Sequence, residues 1–515
     1  MDEHDKKHVT PGIQKEMNVP SSSILDTFPY RFESSVSSVK LGGSITKLYG
    51  KDILKNELDG DYLDSSGRGR RTRRAGSRRT RAKLAIREQR HSVQPTPLLP
   101  GLKNHPSIYI RLGQRPTERN FATQNNWTRA FEVCSNAAGI YKELLYEAGF
   151  GDFLSIKPFK ISSGGYMSAL VERYFSETHT LHLGTFEIGP TPLAWTMITG
   201  IRFGGNPLSP PNITPKECAN LLRLEGTKGV IYKDKIKLEV LCPSTLDFSK
   251  EPTINDLEWM FRRLILYLVG SSFFSGTDSM VSIRMVSALS NIRKINQYDW
   301  GAATFSAFLR GMRQRTSECS GAFSGFYPFL LLWAYEHIPY MRPSTRWSQS
   351  ACVFPRACRW NLMDVPITNE FTWYRLELEY LEEDEVDFDP YKELWEKEDF
   401  QHERALSQKR IAFMGSESWE VYMGERNLRQ FGGGIQIPHS PPTERFGEKL
   451  RILTISAKYL LQGADAWDLL EDEECDYSEW FHANSLGRIL SLDQFQGRTV
   501  SEFRYKFLAE AGIKC

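Results

Sequence analysis

Gly189-Pro-Thr-Pro-Leu-Ala-Trp-Thr-Met-Ile-Thr-Gly200 is the stretch that decides the fold class. Thr191 has a side chain suited to capping a helix, and Pro192 suits the first helical position, where its missing N–H costs nothing. Gly200 suits the residue just past the end. Three independent local rules therefore predict one short, apolar helix. Helical patterning dominates from about residue 125. Thr128–Ala148 carries apolar residues near i, i+3 and i+4, with Gly149 as the stop. Tyr166–Tyr174, Asn255–Phe274, Ser279–Ile292, Ala302–Gln314 and Phe323–His337 read the same way, and Pro339 and Pro343 close the run. Residues 372–430 read as charged amphipathic helices broken at Pro390, and Glu448–Leu461 as a last helical stretch. Thr185–Ile188 alternates and suits a short strand. The expected class is mainly α, with a few short strands and no internal repeat.

Composition bounds the rest. The 515 residues carry 65 basic and 63 acidic side chains, a net charge of +2 that hides a gradient. Residues 1–104 hold 20 Lys+Arg against 12 Asp+Glu, residues 105–360 hold 28 against 20, and residues 361–515 hold 17 against 31. All 12 tryptophans lie at or after Trp127. The N-terminal segment thus offers little apolar surface to offset the entropy of ordering, and the expectation for 1–104 is a disordered basic tail. The longest apolar stretches, Leu264–Phe274 and Phe326–Tyr335, are half of the roughly 20 residues a membrane helix needs. The N-terminus lacks a signal-peptide core, and eight scattered cysteines fit a reducing compartment. The expectation is a soluble intracellular protein with no membrane partner.

The candidate chemistry is sparse. Between Arg68 and Arg90 lie eleven basic residues and one acid, in blocks made by Arg70, Arg71, Arg73, Arg74, then Arg78, Arg79, Arg81 and Lys83. Such runs serve nuclear import or contact nucleic-acid phosphate, and without interleaved aromatics they do not stack on bases. Cys352 and Cys358 lack a second pair for zinc, and His179 with His182 lacks further ligands at metal spacing. Phosphate loops, dinucleotide fingerprints and nucleophile elbows are absent. Gly432–Gly434 reads as a turn. Glu336-His337 could be drawn as an acid–base pair, but adjacent helical residues point about 100° apart. The acidic runs Glu382–Asp389 and Glu471–Asp476 lack the spacing of a calcium loop. The expected cofactor and metal set is empty, and the expected protein is not an enzyme.

Several blocks, in order, resemble the plant mobile domain family, also labelled aminotransferase-like. They are Ala169-Leu-Val-Glu-Arg-Tyr174, Glu177-Thr-His-Thr-Leu-His182, Phe186-Glu-Ile-Gly-Pro-Thr-Pro-Leu193 and Ile198-Thr-Gly-Ile-Arg-Phe-Gly-Gly205. Leu266-Tyr-Leu-Val-Gly270, Tyr298-Asp-Trp-Gly-Ala-Ala303, Leu309-Arg-Gly-Met312, Leu331-Leu-Trp-Ala-Tyr-Glu-His-Ile338 with Arg346-Trp347, and Arg426-Asn-Leu-Arg-Gln-Phe-Gly432 continue the series. The resemblance runs from about Leu144 to Pro441. It implies one large helical plant mobile domain; together with the charge and composition above, the expected organisation is a basic tail over 1–104, the domain over 105–441 and an acidic helical extension over 442–515. It further implies a nuclear protein of transposon-related ancestry acting in transposable-element silencing, gene expression control, genome integrity and meristem maintenance. The implied partner is a phosphoprotein-phosphatase-type serine/threonine phosphatase, with chromatin or nucleic acid as the alternative. The aminotransferase label has no chemical counterpart, since no lysine sits in a pyridoxal-like context. Of the motif residues, Trp300, Trp333 and Trp347 are expected as core anchors, and Gly301 and Gly311 as points of close packing. Arg310 and Glu336 are the expected buried ion pair, and Arg346 belongs to the same structural set.

Overall fold

The computed structural model describes residues 95–485, apart from 103–104, 108–121, 124, 160–163, 209–212, 225–229, 275–278, 318–321, 347–352, 362–370, 397, 417, 448–461 and 472–475. The basic cluster, Trp347 and the expected helix Glu448–Leu461 lie outside the described residues. Among those described, helix predominates over strand.

The first expected helix is two: α1 (Trp127–Ser135) and α2 (Gly139–Glu147). Between them Ala138 is extended, with its amide donated to the Phe248 carbonyl at 2.8 Å, and that tie turns the chain. α3 (Gly164–Arg173) runs straight into an antiparallel meander of β1 (Tyr174–Phe175), β2 (Thr180–Leu183) and β3 (Phe186–Ile188). The strand expected at 185–188 is β3, and its two predecessors add to that expectation. α4 (Pro192–Thr199) follows as its sequence requires: the Thr191 hydroxyl accepts from the Ala194 amide at 3.0 Å, Pro192 opens the helix, and Gly200 ends it at φ 76°.

All eight residues of α4 are buried, so the helix has no solvent face and must be enclosed by others. The end of α5 (Leu257–Ser272), α6 (Trp300–Thr316), α7 (Pro328–His337) and the short helix Gln401–Ser407, whose Ser407 hydroxyl accepts from the Leu193 amide at 2.9 Å, enclose it. Trp195 of α4 is the hub. Its ring lies 5.6 and 5.7 Å from Phe305 and Phe308 of α6, 4.8 Å from Phe329 of α7, and 6.2 Å from Phe273, just past the end of α5.

Three expectations are corrected. Ser279–Ile292 is not one helix. It begins as a strand, Met280–Ser282, that pairs with the hairpin Ile231–Tyr232 and Lys235–Lys237 and then forms only a short turn of helix at Met285–Ala288. The region 372–430 is helical only in part, in α8 (Phe371–Glu379) and two short helices, Lys392–Trp395 and Gln401–Ser407. It then forms a hairpin of β4 (Lys409–Met414) and β5 (Trp419–Met423), in register from Trp419↔Met414 to Met423↔Arg410. Ile, Phe, Val, Tyr and Trp flanking Gly415 favour a pleated surface, and that local preference overrides the charge pattern. Phe446–Gly447 and Ala464–Asp465 edge this sheet, so the described part of 442–515 is not purely helical.

Removing the hub ring leaves a cavity that close-packed neighbours refill only in part. Trp195→Ala is expected to cost about 3–5 kcal/mol, and Thr191→Ala about 1 kcal/mol through the lost cap. Urea denaturation of the two variants reads both, in that order of size.

Candidate functional site

The described chain buries an unusual amount of charge, and the charges are arranged around the β1–β3 meander and the end of α7. Alternate residues of a strand point to opposite faces, so Thr180 and His182 on β2 share a face with Glu187 on β3, which pairs with His182 in register. The Thr180 hydroxyl donates to Glu187 Oε2 at 2.6 Å. Thr178 Oγ1 lies 2.7 Å from Thr180 Oγ1 and 3.2 Å from His182 Nε2. Arg426 Nη1 donates to the other Glu187 oxygen at 2.7 Å, with both side chains almost wholly buried. The next residues complete the attachment: Asn427 Oδ1 accepts from the Gly189 amide at 2.8 Å, and Gln430 Nε2 donates to the Gly189 carbonyl at 2.9 Å. The segments 186–189 and 426–430, far apart in sequence, are therefore one structural unit.

A second chain of polar contacts crosses the same sheet. The Tyr174 hydroxyl meets His179 Nδ1 at 2.7 Å, His179 Nε2 lies 3.6 Å from Glu420 on β5, and Arg313 of α6 donates to Glu420 through Nε at 3.0 Å. α3 and α8 are joined by two ion pairs. Arg375 grips both oxygens of Glu172 at 2.6 and 2.7 Å, and Arg173 meets Glu379. His105 Nε2 contacts the Tyr174 carbonyl at 2.8 Å, and burial lowers its pKa to about 4.

The end of α7 differs from the expectation. Glu336 is fully buried, but its partner is not Arg310. Arg356 donates to Glu336 Oε2 through Nη2 at 2.7 Å and Nε at 3.0 Å, and Arg359 Nη1 adds a contact at 3.3 Å. Both arginines come from a 3-10 turn, Arg356–Arg359, about twenty residues beyond α7, and helical spacing gave no way to place it there. Arg310 stays half-buried on α6. Nor do Glu336 and His337 act together: His337 Nδ1 turns to the Asp387 carbonyl at 2.8 Å, and burial lowers its pKa to about 3.

The other motif residues fall as follows. Trp300 is buried, donating Nε1 to the Ile295 carbonyl at 2.9 Å, and Trp333 is buried against the His337 ring. Gly301 and Gly311 face backbone directly, where a Cβ would collide with the carbonyls of Arg202 and Ser324. Arg346 is exposed, and its amide donates to the Arg359 carbonyl at 2.9 Å. The import cluster Arg70–Lys83 and Trp347 lie outside the described residues. Sequence reading quoted Glu187 and Arg426 within the family blocks but gave them no role, and it missed Arg313, Arg356 and Glu420. The available signal was polar residues such as Thr180, His182 and Glu187 inside otherwise apolar strands. Among the described residues, no group of three His, Cys, Asp or Glu could hold a metal ion. What the arrangement does chemically is neutralise its own buried charges and so fix the register of distant segments.

Breaking a buried pair strands the remaining charge. Arg426→Ala and Glu187→Ala are each expected to cost about 3–5 kcal/mol, whereas the joint apolar replacement Glu187→Leu/Arg426→Met costs less than the sum. A double-mutant cycle by denaturation checks this. The histidines give a pH test. Unfolded, each imidazole takes a proton near 6.5, but in the fold His105 waits until about 4 and His337 until about 3. The unfolded chain therefore binds more protons between these values, and stability falls as pH drops below about 6.5, by about 1.4 kcal/mol per pH unit for each histidine. Denaturation at neutral and at mildly acidic pH should show that slope, and His105→Gln and His337→Gln should each flatten it.

Comparison with known proteins places this architecture. Residues 149–469 match the plant mobile domain. The chain is 27% identical to protein MAIN-LIKE 1 of Arabidopsis thaliana, over 57% of this chain and 59% of that protein. It is 26% identical to protein MAINTENANCE OF MERISTEMS of the same plant, over 59% of this chain and 64% of that one. It is also 24% identical to a serine/threonine-protein phosphatase 7 long form homolog from Arabidopsis, over 44% of this chain and 18% of that protein. The matches span about three fifths of the length of the first two relatives. No solved structure matches. With a match that covers the core helices, the meander and the Arg426 segment alike, the chain belongs to the plant mobile domain family.

Proposed function

We propose that this protein is a non-enzymatic nuclear interaction protein that works in gene expression control and the silencing of transposable elements, with a serine/threonine phosphatase as partner. The observation that carries the reading is the use of the buried acids and bases. Glu187, Glu336 and Glu420 each face a guanidinium inside the fold, so their electrostatics serve architecture and leave the surface for recognition. Two relatives add support. One bears meristem maintenance in its name, and the phosphatase homolog shares a segment that is a minor part of its own length. The basic cluster Arg70–Lys83 supports nuclear import.

A second reading rests on the same cluster together with the excess of eight positive charges over residues 105–360: a nucleic-acid-binding protein that grips phosphate. It requires an affinity that falls steeply with salt, by about 0.9 log units per log unit of salt for each phosphate neutralised.

Affinity purification of the tagged protein from plant nuclei, with and without nuclease and read by mass spectrometry, separates the two. The expected outcome is a phosphatase that survives nuclease. It should still be recovered from a variant with Arg70, Arg71, Arg73, Arg74, Arg78, Arg79 and Arg81 changed to Ala and a substitute import signal added. Partners that vanish with nuclease would sink the adaptor reading and favour the second.

A further inference from the structure

The segment after α7 carries more positive charge than its fold uses. Thr345 and Trp360 form an antiparallel bridge. It is flanked by hydrogen bonds from the Arg346 amide to the Arg359 carbonyl and from the Asn361 amide to the Ser344 carbonyl, each at 2.9 Å. This short ladder holds residues 342–346 beside residues 356–361. Trp360 is fully buried, and two guanidiniums lie near its ring, Arg359 with Cζ at 4.7 Å and Arg342 with Cζ at 5.8 Å from the centroid.

Among the described residues, four arginines, 342, 346, 356 and 359, thus gather beside one fully buried carboxylate, Glu336. Glu336 is taken chiefly by Arg356, and Arg359 reaches it only through Nη1. The Arg359 Nε is buried with no hydrogen-bond partner among the described residues. Arg342 and Arg346 are exposed, and among the described residues neither guanidinium makes an ion pair or a side-chain hydrogen bond. Burial, then the charges of Arg356 and Arg342, hold the Arg359 guanidinium below its ordinary pKa, as expected where cations crowd without enough anion. Among the described residues, Asp387 of the acidic run Glu382–Asp389 also feels this group.

We propose that Arg342, Arg346 and Arg359 form a docking site for a phosphorylated side chain of a partner protein. The proposal rests on the interaction-protein reading and names a chemistry for its partner. Guanidinium forks match the oxygens of a phosphate dianion bidentately, and clustered arginines are how phosphorylated motifs are read. A nucleic-acid strand fits worse. The site is compact, and Trp360 is too buried to stack on a base.

The test uses the full purified chain and beads carrying short degenerate peptides with phosphoserine at the centre. Matched beads carry serine or glutamate instead, and a single-stranded oligonucleotide is titrated in parallel. Retention on phosphoserine is expected to exceed that on either control at least about tenfold. Arg342→Ala/Arg346→Ala should abolish most of that excess with an unchanged thermal midpoint, since both side chains are exposed. Arg342→Lys/Arg346→Lys should restore only part of it, because an ammonium cannot form the fork. Equal retention on all three beads overturns the proposal. So does a double variant that loses oligonucleotide binding while holding phosphoserine peptides unchanged. Neither result touches the adaptor reading, which the nuclear purification decides separately.

Discussion

The contact between Glu187 and Arg426 is the constraint on which the rest depends. Glu187 sits on the last strand of a small meander, directly before the helix that forms the centre of the core. Arg426 lies 239 residues later, and its neighbours Asn427 and Gln430 hold both backbone groups of Gly189. The central helix thus begins from a fixed point, and the 409–423 hairpin that precedes Arg426 is brought back against α6, where Arg313 donates to Glu420. A charge pair of this kind contributes little net stability compared with apolar residues of the same shape. Its contribution is to positioning: any other register leaves a guanidinium or a carboxylate buried alone.

The same logic recurs elsewhere in the fold. Glu336 with Arg356, Glu172 with Arg375, and Glu379 with Arg173 each join segments that are not neighbours in sequence. A core of Phe and Trp packs tightly but tolerates sliding, because apolar contact has no direction. Directional pairs placed around such a core choose one arrangement from many.

How far the sequence could be read follows from which interactions are local. The helix 192–199 was legible in full, because a cap, an initial proline and a terminal glycine all act within a few residues. α5, α6 and α7 were legible from periodicity, to within a few residues at their ends. The hairpin 409–423 was hidden by the charges around it, and the break at Ala138 depends on a carbonyl more than a hundred residues away. The ion pairs were the least legible. Glu336 was recognised as a buried acid, but its partner was sought on a neighbouring helix, whereas it comes from a 3-10 turn held by the packing of Pro355 and Trp360. Residues 70–83 were read from composition alone, and that reading concerns addressing, not fold.

The enclosure of the 192–199 helix has one consequence for motion. A helix with a wet face frays from its ends, and its amides meet solvent through small local openings. This one is capped at Thr191, closed at Gly200 and covered on every side, so no partial opening exposes it without also separating the helices around Trp195. Its amide protons, like those of α7, whose ten residues are also all buried, exchange through opening of the packed core and not through fraying.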